Sequence, residues 1–115
     1  MIRLRVSVTI LIPLLLCTTG CGSARRGEPI AGPISLSTDS ARHGQQLFMK
    51  HCHQCHPGGE AGLGPALNNK PLPGFLMRFQ IRHGYGAMPA FGEEQIASDD
   101  VTALLEYLHA LRQHG

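Results

Sequence analysis

The sequence predicts a small all-α domain, and three observations carry this prediction. Two segments place apolar residues three and four positions apart, which is the spacing of one helix face. No segment of useful length alternates apolar and polar residues as a half-buried strand does. Clusters of Gly and Pro separate the helical segments from one another. With 115 residues the chain has room for one domain with a small core, and such a core usually requires an additional stabilising element such as a disulfide or a bound metal.

The first 20 residues are predicted to be an export signal. Arg3 and Arg5 form a basic start, and residues 6–16 are almost entirely apolar. Small residues follow the apolar stretch, as they do before a cleavage site. The stretch is shorter than the about 20 residues that a membrane-spanning helix requires, so we expect no spanning helix here.

The end of this signal resembles that of a bacterial lipoprotein, in which the Cys directly after the cleavage site receives a lipid. Cys21 follows Gly20 in this way, whereas Thr18 stands where lipoproteins usually have an aliphatic residue. The resemblance implies that residues 1–20 are removed and that Cys21 anchors the protein to a membrane, on the periplasmic side of the bacterial cell envelope. Ordinary cleavage near Gly20 or Ser23, which would leave a soluble periplasmic protein, stays open.

Residues 21–40 are predicted to be a flexible tether, and residues 41–115 a folded domain. The tether is rich in Gly, Pro, Ser and Thr and shows no sustained period. A first helix is expected from Ala41 onward. Its candidate N-caps are Ser37, Thr38 and Asp39. Its apolar stripe is Ala41, Gly44, Phe48 and Cys52.

Two further helices are predicted after a loop over residues 57–74. A short helix spans residues 74–83 and ends at Gly84, and a Gly-rich loop follows over residues 84–92. The last helix is predicted to begin with Ser98 as its N-cap, followed by two acidic residues that suit the first turn. Its apolar face is Val101, Leu104, Leu105, Leu108 and Leu111.

The charge balance argues against a nucleic-acid partner. The chain has 10 Lys and Arg residues and 8 Asp and Glu residues, for a formal net charge of +2. Removal of residues 1–20 would leave equal numbers of basic and acidic residues. A nucleic-acid-binding surface requires a strong basic excess, so we expect none.

One motif carries specific chemistry. Cys52-His53-Gln54-Cys55-His56 is a C-x-x-C-H sequence, the pattern of c-type haem attachment. Two thiols one helical turn apart can each add to one vinyl group of haem, and the adjacent His56 can bind the iron. The spacing is specific because all three side chains must leave one face of a short turn.

Three other interpretations of the motif stay open from the residues alone. Zinc could be held by Cys52 and Cys55 with nearby His residues, but structural zinc usually shows a second paired cluster. A thioredoxin-like C-x-x-C requires a βαβ context, which this chain lacks. A plain disulfide is the simplest alternative. The export signal, the helical context and His56 favour haem.

Residues 41–115 resemble the class I c-type cytochromes. That family has a Gly and an aromatic residue, each four positions apart, ahead of the first haem Cys, and Gly44, Phe48 and Cys52 match. The later matches, in chain order, are Gly64-Pro65-Ala66-Leu67, Met88-Pro89, and Leu104, Tyr107 and Leu108. The resemblance implies a small cytochrome c fold, in which three to four helices wrap around one covalent haem c.

The resemblance also implies roles for single residues of the motif. Cys52 and Cys55 would form the two thioether bonds, and His56 would be the first axial ligand of the iron. The carbonyl of Pro65 would accept a hydrogen bond from the free ring nitrogen of His56. Such a bond fixes the imidazole tautomer and strengthens the ligand.

Met88, in its Gly-rich loop, is implied as the second axial ligand. His83 is the alternative, and it would give an iron held by two imidazoles. Nearby Arg78 and Arg82 either contact a haem propionate or form a solvated helix face. The chain has no Trp and has Pro57 directly after the motif, so the propionate contacts stay open.

With both axial positions filled, the implied function is one-electron transfer between redox partner proteins, and the chain would not be an enzyme by itself. Met ligation would raise the reduction potential, because a thioether favours ferrous iron. Two alternatives stay open. One is a haem sensor or enzyme component with an open distal site, and the other is a fixed cytochrome subunit of a dehydrogenase or respiratory complex.

Overall fold

The structure is a computed structural model that describes residues 32–69 and 71–114. It contains three α-helices, α1 (Asp39–His51), α2 (Gly74–His83) and α3 (Ser98–His114), and a short 3-10 helix at Pro57–Gly59. The described ranges hold no strand, and the prediction of an all-α fold is confirmed. The predicted signal sequence and Cys21 lie outside these ranges.

Single residues explain where α1 begins and where α2 ends. The hydroxyl of Thr38 accepts a hydrogen bond from the Ala41 N–H at 3.0 Å, which makes Thr38 the N-cap of α1. Helix α2 covers the predicted residues 74–83 and ends at Gly84, whose φ of 71° suits a residue without a side chain.

The predicted N-cap of α3 is wrong, because Ser98 is already the first residue of that helix. The backbone N–H of Ser98 donates to the Glu93 carboxylate at 2.7 Å, and its hydroxyl donates to the same carboxylate at 3.1 Å. Glu93, which lies in the preceding loop, therefore caps the first turn of α3. Its carboxylate is a stronger hydrogen-bond acceptor than a Ser hydroxyl would be. These bonds, with Arg82 and Arg78 nearby, hold the pKa of Glu93 below its usual range.

The core forms where α1 crosses α3 at close range. A Cβ on Gly44 would collide with the carbonyl oxygen of Ala103 and would lie 2.5 Å from its carbonyl carbon. One turn later, the rings of Phe48 and Tyr107 pack with centroids 5.2 Å apart. The side chain of Gln45 hydrogen-bonds Tyr107, whose pKa is raised by burial. The remaining core side chains are Leu47, Met77, Ile81, Ile96, Val101, Ala103, Leu104, Leu108 and Leu111.

The residues just before α1 contact the domain. Ile34 and Leu36 are partly buried and pack against the core cluster. The backbone N–H of Ser35 donates to Nε2 of His114 at 3.3 Å, near the end of α3. The described part of the chain contains no helix whose length and apolar character would let it cross a membrane.

The crossing at Gly44 predicts a strong effect of one added methyl group. Gly44→Ala forces two backbones apart, so we expect the free energy of unfolding to fall by about 2 kcal/mol or more. Gly74→Ala is the matched control, because a Cβ there meets only Leu105 Cδ1 at 3.9 Å. Urea titration of the two holoproteins measures the difference, and equal midpoints would contradict the close crossing.

Candidate functional site

The two Cys side chains and the His of the motif leave a single turn that continues α1. Cys52 is the C-cap of α1, and its N–H donates to the Phe48 carbonyl at 2.8 Å. The N–H groups of Cys55 and His56 both donate to the Cys52 carbonyl, at 3.1 and 2.9 Å. The local backbone therefore brings the three side chains together, as covalent haem attachment requires. The thiols of Cys52 and Cys55 are not joined by a disulfide.

The imidazole of His56 is buried and held by backbone on one side. Its Nδ1 lies 2.8 Å from the carbonyl oxygen of Pro65, so the ring donates this hydrogen bond as the tautomer protonated at Nδ1. The other ring nitrogen, Nε2, is then the one with a free lone pair. Gly64 makes the arrangement possible, because a Cβ there would lie 2.8 Å from each ring nitrogen.

The turn after the motif is held by His53, which the sequence suggested only as one of several His residues near a zinc site. The N–H of Gly58 donates to Nδ1 of His53 at 3.0 Å, and Gly58 has a φ of 61°. The Gly64 N–H donates to the Cys55 carbonyl at 2.9 Å, which closes the loop back onto the motif. His53 occupies a variable position of C-x-x-C-H, so the motif pattern holds no signal for it.

Burial raises the pKa of one thiol further above physiological pH. Cys52 lies in an apolar environment beside Cys55, and desolvation raises its pKa to about 11. The neighbouring Cys55 thiol adds to the shift, because two thiolates would repel each other. Cys52 is therefore a neutral thiol at physiological pH before it forms any bond.

The loop that carries Met88 is a tight turn beyond α2. The Tyr85 N–H donates to the Met88 carbonyl at 3.1 Å, and the Met88 N–H donates to the Tyr85 carbonyl at 3.0 Å. Gly84 is required here, because a Cβ would lie 2.5 Å from the Met88 carbonyl oxygen and its φ is 71°. The Met88 side chain is partly buried and packs against the core cluster.

This loop meets the end of α1, so the structure brings two distant segments to one place. The ring of Phe91, three residues after Met88, packs edge-on against the ring of His51 with centroids 5.9 Å apart. His51 directly precedes Cys52. Burial and the adjacent Lys50 lower the pKa of His51, and the more distant Asp100 opposes the shift.

The remaining candidates have other partners. His83, the rival ligand, is exposed, stacks on the Phe79 ring at 4.1 Å, and its Nδ1 lies 2.9 Å from the Phe79 carbonyl. Arg78 donates to the Thr102 hydroxyl at 2.8 Å. Arg82 donates to the carbonyl oxygens of Phe91 and Ile96, which follow Met88 in the chain. Both Arg side chains therefore bind protein groups, and they do not form a helix face that contacts only solvent. Within residues 32–69 and 71–114 no group of three or more His, Cys, Asp or Glu is arranged to hold a metal ion.

Comparisons with known proteins identify the class. Residues 39–108 match the family model described as cytochrome c oxidase, cbb3-type, subunit III, and the chain belongs to this family of c-type cytochrome domains. No solved structure matches with comparable significance.

Curated relatives agree with the family model. The cytochrome c subunit of 4-cresol dehydrogenase (hydroxylating) from Pseudomonas putida is 37% identical over 68 residues, which cover 59% of each chain. Chloroplastic cytochrome c6 of Chlamydomonas reinhardtii is 26% identical over 117 residues, covering 79% of this chain and 78% of that one. Cytochrome c6 of Gloeothece citriformis is 32% identical over 83 residues, covering 65% and 74%. The chain thus spans less than two thirds of the length of the Pseudomonas subunit.

Membership of this family implies covalently attached haem c, and one haem c is the cofactor of this chain. The protein is a monohaem electron-transfer protein of the class I c type. The residues present fit the cofactor: two free thiols share one turn, and the His56 ring has one nitrogen, Nε2, that the Pro65 hydrogen bond leaves available for an iron. Large apolar side chains between His56 and Met88 are exposed, which suits an apolar cofactor. They are Leu63, Phe75, Leu76, Phe79 and Tyr85.

The contact between Gly64 and His56 predicts a shift in reduction potential. Gly64→Ala pushes the ring away from the Pro65 carbonyl, and a weaker Nδ1 hydrogen bond makes the imidazole a poorer donor to ferric iron. We expect a higher reduction potential, measured by spectroelectrochemical titration of the holoprotein. Pro65→Ala is the control because it keeps the accepting carbonyl. Equal potentials in Gly64→Ala and the wild type would refute the positioning of His56 by this bond.

Proposed function

We propose that this protein is a lipid-anchored, monohaem electron carrier that exchanges single electrons with partner proteins on the periplasmic side of a bacterial membrane. The observation that carries the proposal is the hydrogen bond between His56 Nδ1 and the Pro65 carbonyl, because it leaves Nε2 as a preoriented iron donor. Haem supplies an iron that takes up and gives back one electron.

Each residue of the site has a separate task in this proposal. Cys52 and Cys55 would bind the cofactor covalently through their sulfur atoms. His56 would donate the Nε2 lone pair to the iron, and the Pro65 carbonyl holds the ring in its tautomer. Met88 would supply its thioether sulfur to the iron, and this neutral, soft donor would favour the ferrous state and a high reduction potential.

Electron transfer is favoured over catalysis because the turn at Tyr85–Met88 holds the Met88 backbone in a defined place. A ligand on a preformed loop keeps its position in both oxidation states, so little reorganisation accompanies electron transfer. A haem sensor or an enzyme component would need an iron with one coordination position open. That alternative requires that neither Met88 nor His83 binds the iron. His83 hydrogen-bonds the Phe79 carbonyl through Nδ1.

One relative favours a specific kind of partner. The Pseudomonas putida relative is the cytochrome c subunit of a dehydrogenase, and it is 37% identical to this chain. A fixed or transient complex with a dehydrogenase is therefore the partner that we propose first. Electrons would pass from the dehydrogenase to this chain and from there to a further acceptor.

The proposed tether is shorter than the segment 21–40. Ile34 and Leu36 pack against the core, so the part that can span between anchor and domain ends before Ile34. A lipid anchor at Cys21 would therefore keep the haem close to the membrane surface and favour partner proteins held nearby.

An absorption spectrum of Met88 variants tests the axial ligand. In the ferric wild type we expect the weak far-red band of a sulfur–iron bond, and no binding of carbon monoxide in the ferrous form. Met88→Leu should lose the band, bind carbon monoxide, and lower the potential by roughly 0.1 V or more, within the ~0.8 V range that axial ligands span. Met49→Leu is the control because Met49 is exposed on α1. A wild type without the band would support the open-site alternative.

Membrane fractionation tests the anchor. We expect the mature wild type to sediment with membranes and to incorporate labelled palmitate. Cys21→Ser should release a soluble holoprotein with the same spectrum, because Cys21 lies outside the haem domain. Ser23→Ala is the matched control that leaves the lipidated position intact. If Cys21→Ser stays membrane-bound, the lipid anchor at this residue is refuted and the haem assignment is unaffected.

A further inference from the structure

We propose that Arg82 is a positioning residue for Met88: its guanidinium holds the segment after Met88 against α2, so that the Met88 thioether is presented to the iron rather than free to leave it. The inference rests on Met88 ligation as proposed above. It concerns a residue that the haem motif and the axial ligands do not include.

The guanidinium of Arg82 hydrogen-bonds three residues of one loop. Its Nη1 donates to the Phe91 carbonyl at 3.0 Å and to the Ile96 carbonyl at 2.6 Å. Its Nη2 donates to the Glu93 carboxylate at 2.8 Å. These acceptors all follow Met88 within the segment that leads to α3, so one side chain fixes the path of the loop from Phe91 to Ile96.

Burial strengthens the hydrogen bonds between Arg82 and the loop carbonyls. The Arg82 side chain is only 19% exposed, and Ile96 is 1% exposed. Hydrogen bonds from a charged donor to partly buried carbonyls are stronger than neutral ones, and a carbonyl left unpaired there loses solvation without compensation. The planar fork of Arg suits this task, because its donors are spread over two terminal nitrogens in a fixed plane, whereas the three donors of a Lys ammonium share one nitrogen.

The rest of the loop has few other restraints on the α2 side. The Phe91 N–H donates to the Ile81 carbonyl at 2.9 Å, so residues 81 and 82 of α2 together hold both polar groups of Phe91. The turn at Tyr85–Met88 is closed on itself and does not by itself attach Met88 to the helix. Without Arg82 the loop would pivot about this single backbone hydrogen bond.

Glu93 connects the same clamp to α3. Its carboxylate accepts from Arg82 and caps the first turn of α3 through Ser98. The clamp therefore joins the end of α2, the loop after Met88 and the start of α3. A thioether is a weak, uncharged ligand, so its occupancy depends on how firmly the backbone beneath it is held.

Two variants of neighbouring arginines on α2 separate this role from general stability. Arg82→Gln removes the clamp. Arg78→Gln is the matched control, because Arg78 lies one turn earlier on the same helix, its variant loses the same charge, and its hydrogen bonds go to Ser98 and Thr102 at the start of α3 instead of to the loop. Arg82→Lys is the second variant, in case Arg82→Gln does not fold, since it keeps the charge but not the fork.

The experiment uses the holoproteins and two readouts. Added imidazole competes with Met88 for ferric iron, and loss of the far-red band reports the exchange. Loss of a charge-assisted clamp should lower the half-saturating imidazole concentration about tenfold in Arg82→Gln, less in Arg82→Lys, and not in Arg78→Gln. Amide hydrogen exchange at Phe91 and Ile96 should accelerate about tenfold in Arg82→Gln while Leu104 and Leu108 in α3 stay protected.

Each outcome decides a defined question. If Arg82→Gln, or Arg82→Lys in its place, matches the wild type in both readouts, the positioning role is overturned. Equal effects of Arg82→Gln and Arg78→Gln also overturn it, since they would report a general loosening of α2. If the wild type shows no far-red band, Met88 ligation and with it the proposed function fail. The rates of amide hydrogen exchange at Phe91 and Ile96 then still decide whether Arg82 holds the loop.

Discussion

The close backbone contact between α1 and α3 at Gly44 is the constraint on which the rest of the structure depends. It lets the two longest helices share one interface in a chain too small for an extensive core. Helix α3 then supports the site from both ends. Near its C-terminus, the Leu111 side chain fills the space beside Gly59, and Arg112 donates to the Leu72 carbonyl at 2.8 Å. At its N-terminus, Glu93 joins it to the segment that carries Met88, and Arg78 joins it to α2.

The site itself is built from loops, and backbone groups supply most of its order. The Pro65 carbonyl holds His56, the Cys52 carbonyl closes the motif turn, and the Tyr85 carbonyl closes the turn at Met88. Backbone partners of this kind depend on the path of the chain and little on side-chain identity. This explains why Gly occurs where a Cβ would block the path, at Gly64 beside His56 and at Gly84 beside the Met88 carbonyl.

Much of the fold could be predicted because its signals are local. The period of apolar residues located the helices, Gly84 marked the end of α2 correctly, and Thr38 was one of three candidates for the N-cap of α1. The start of α3 was predicted with the wrong cap, because the acceptor that binds Ser98 is Glu93 in the preceding loop. A capping side chain from outside the usual position has no fixed spacing, so a pattern of residue types does not reveal it.

The sequence by itself determined the C-x-x-C-H turn, because the residues proposed for covalent attachment and iron ligation, Cys52, Cys55 and His56, lie within five consecutive positions. Only the tertiary structure decided what holds the Met88 loop, and it assigned Arg82 to that loop. The physical reason is that the acceptors of Arg82 are backbone carbonyls at Phe91 and Ile96. Every residue type carries such a carbonyl, so only the folded path of the chain shows which of them meet the guanidinium.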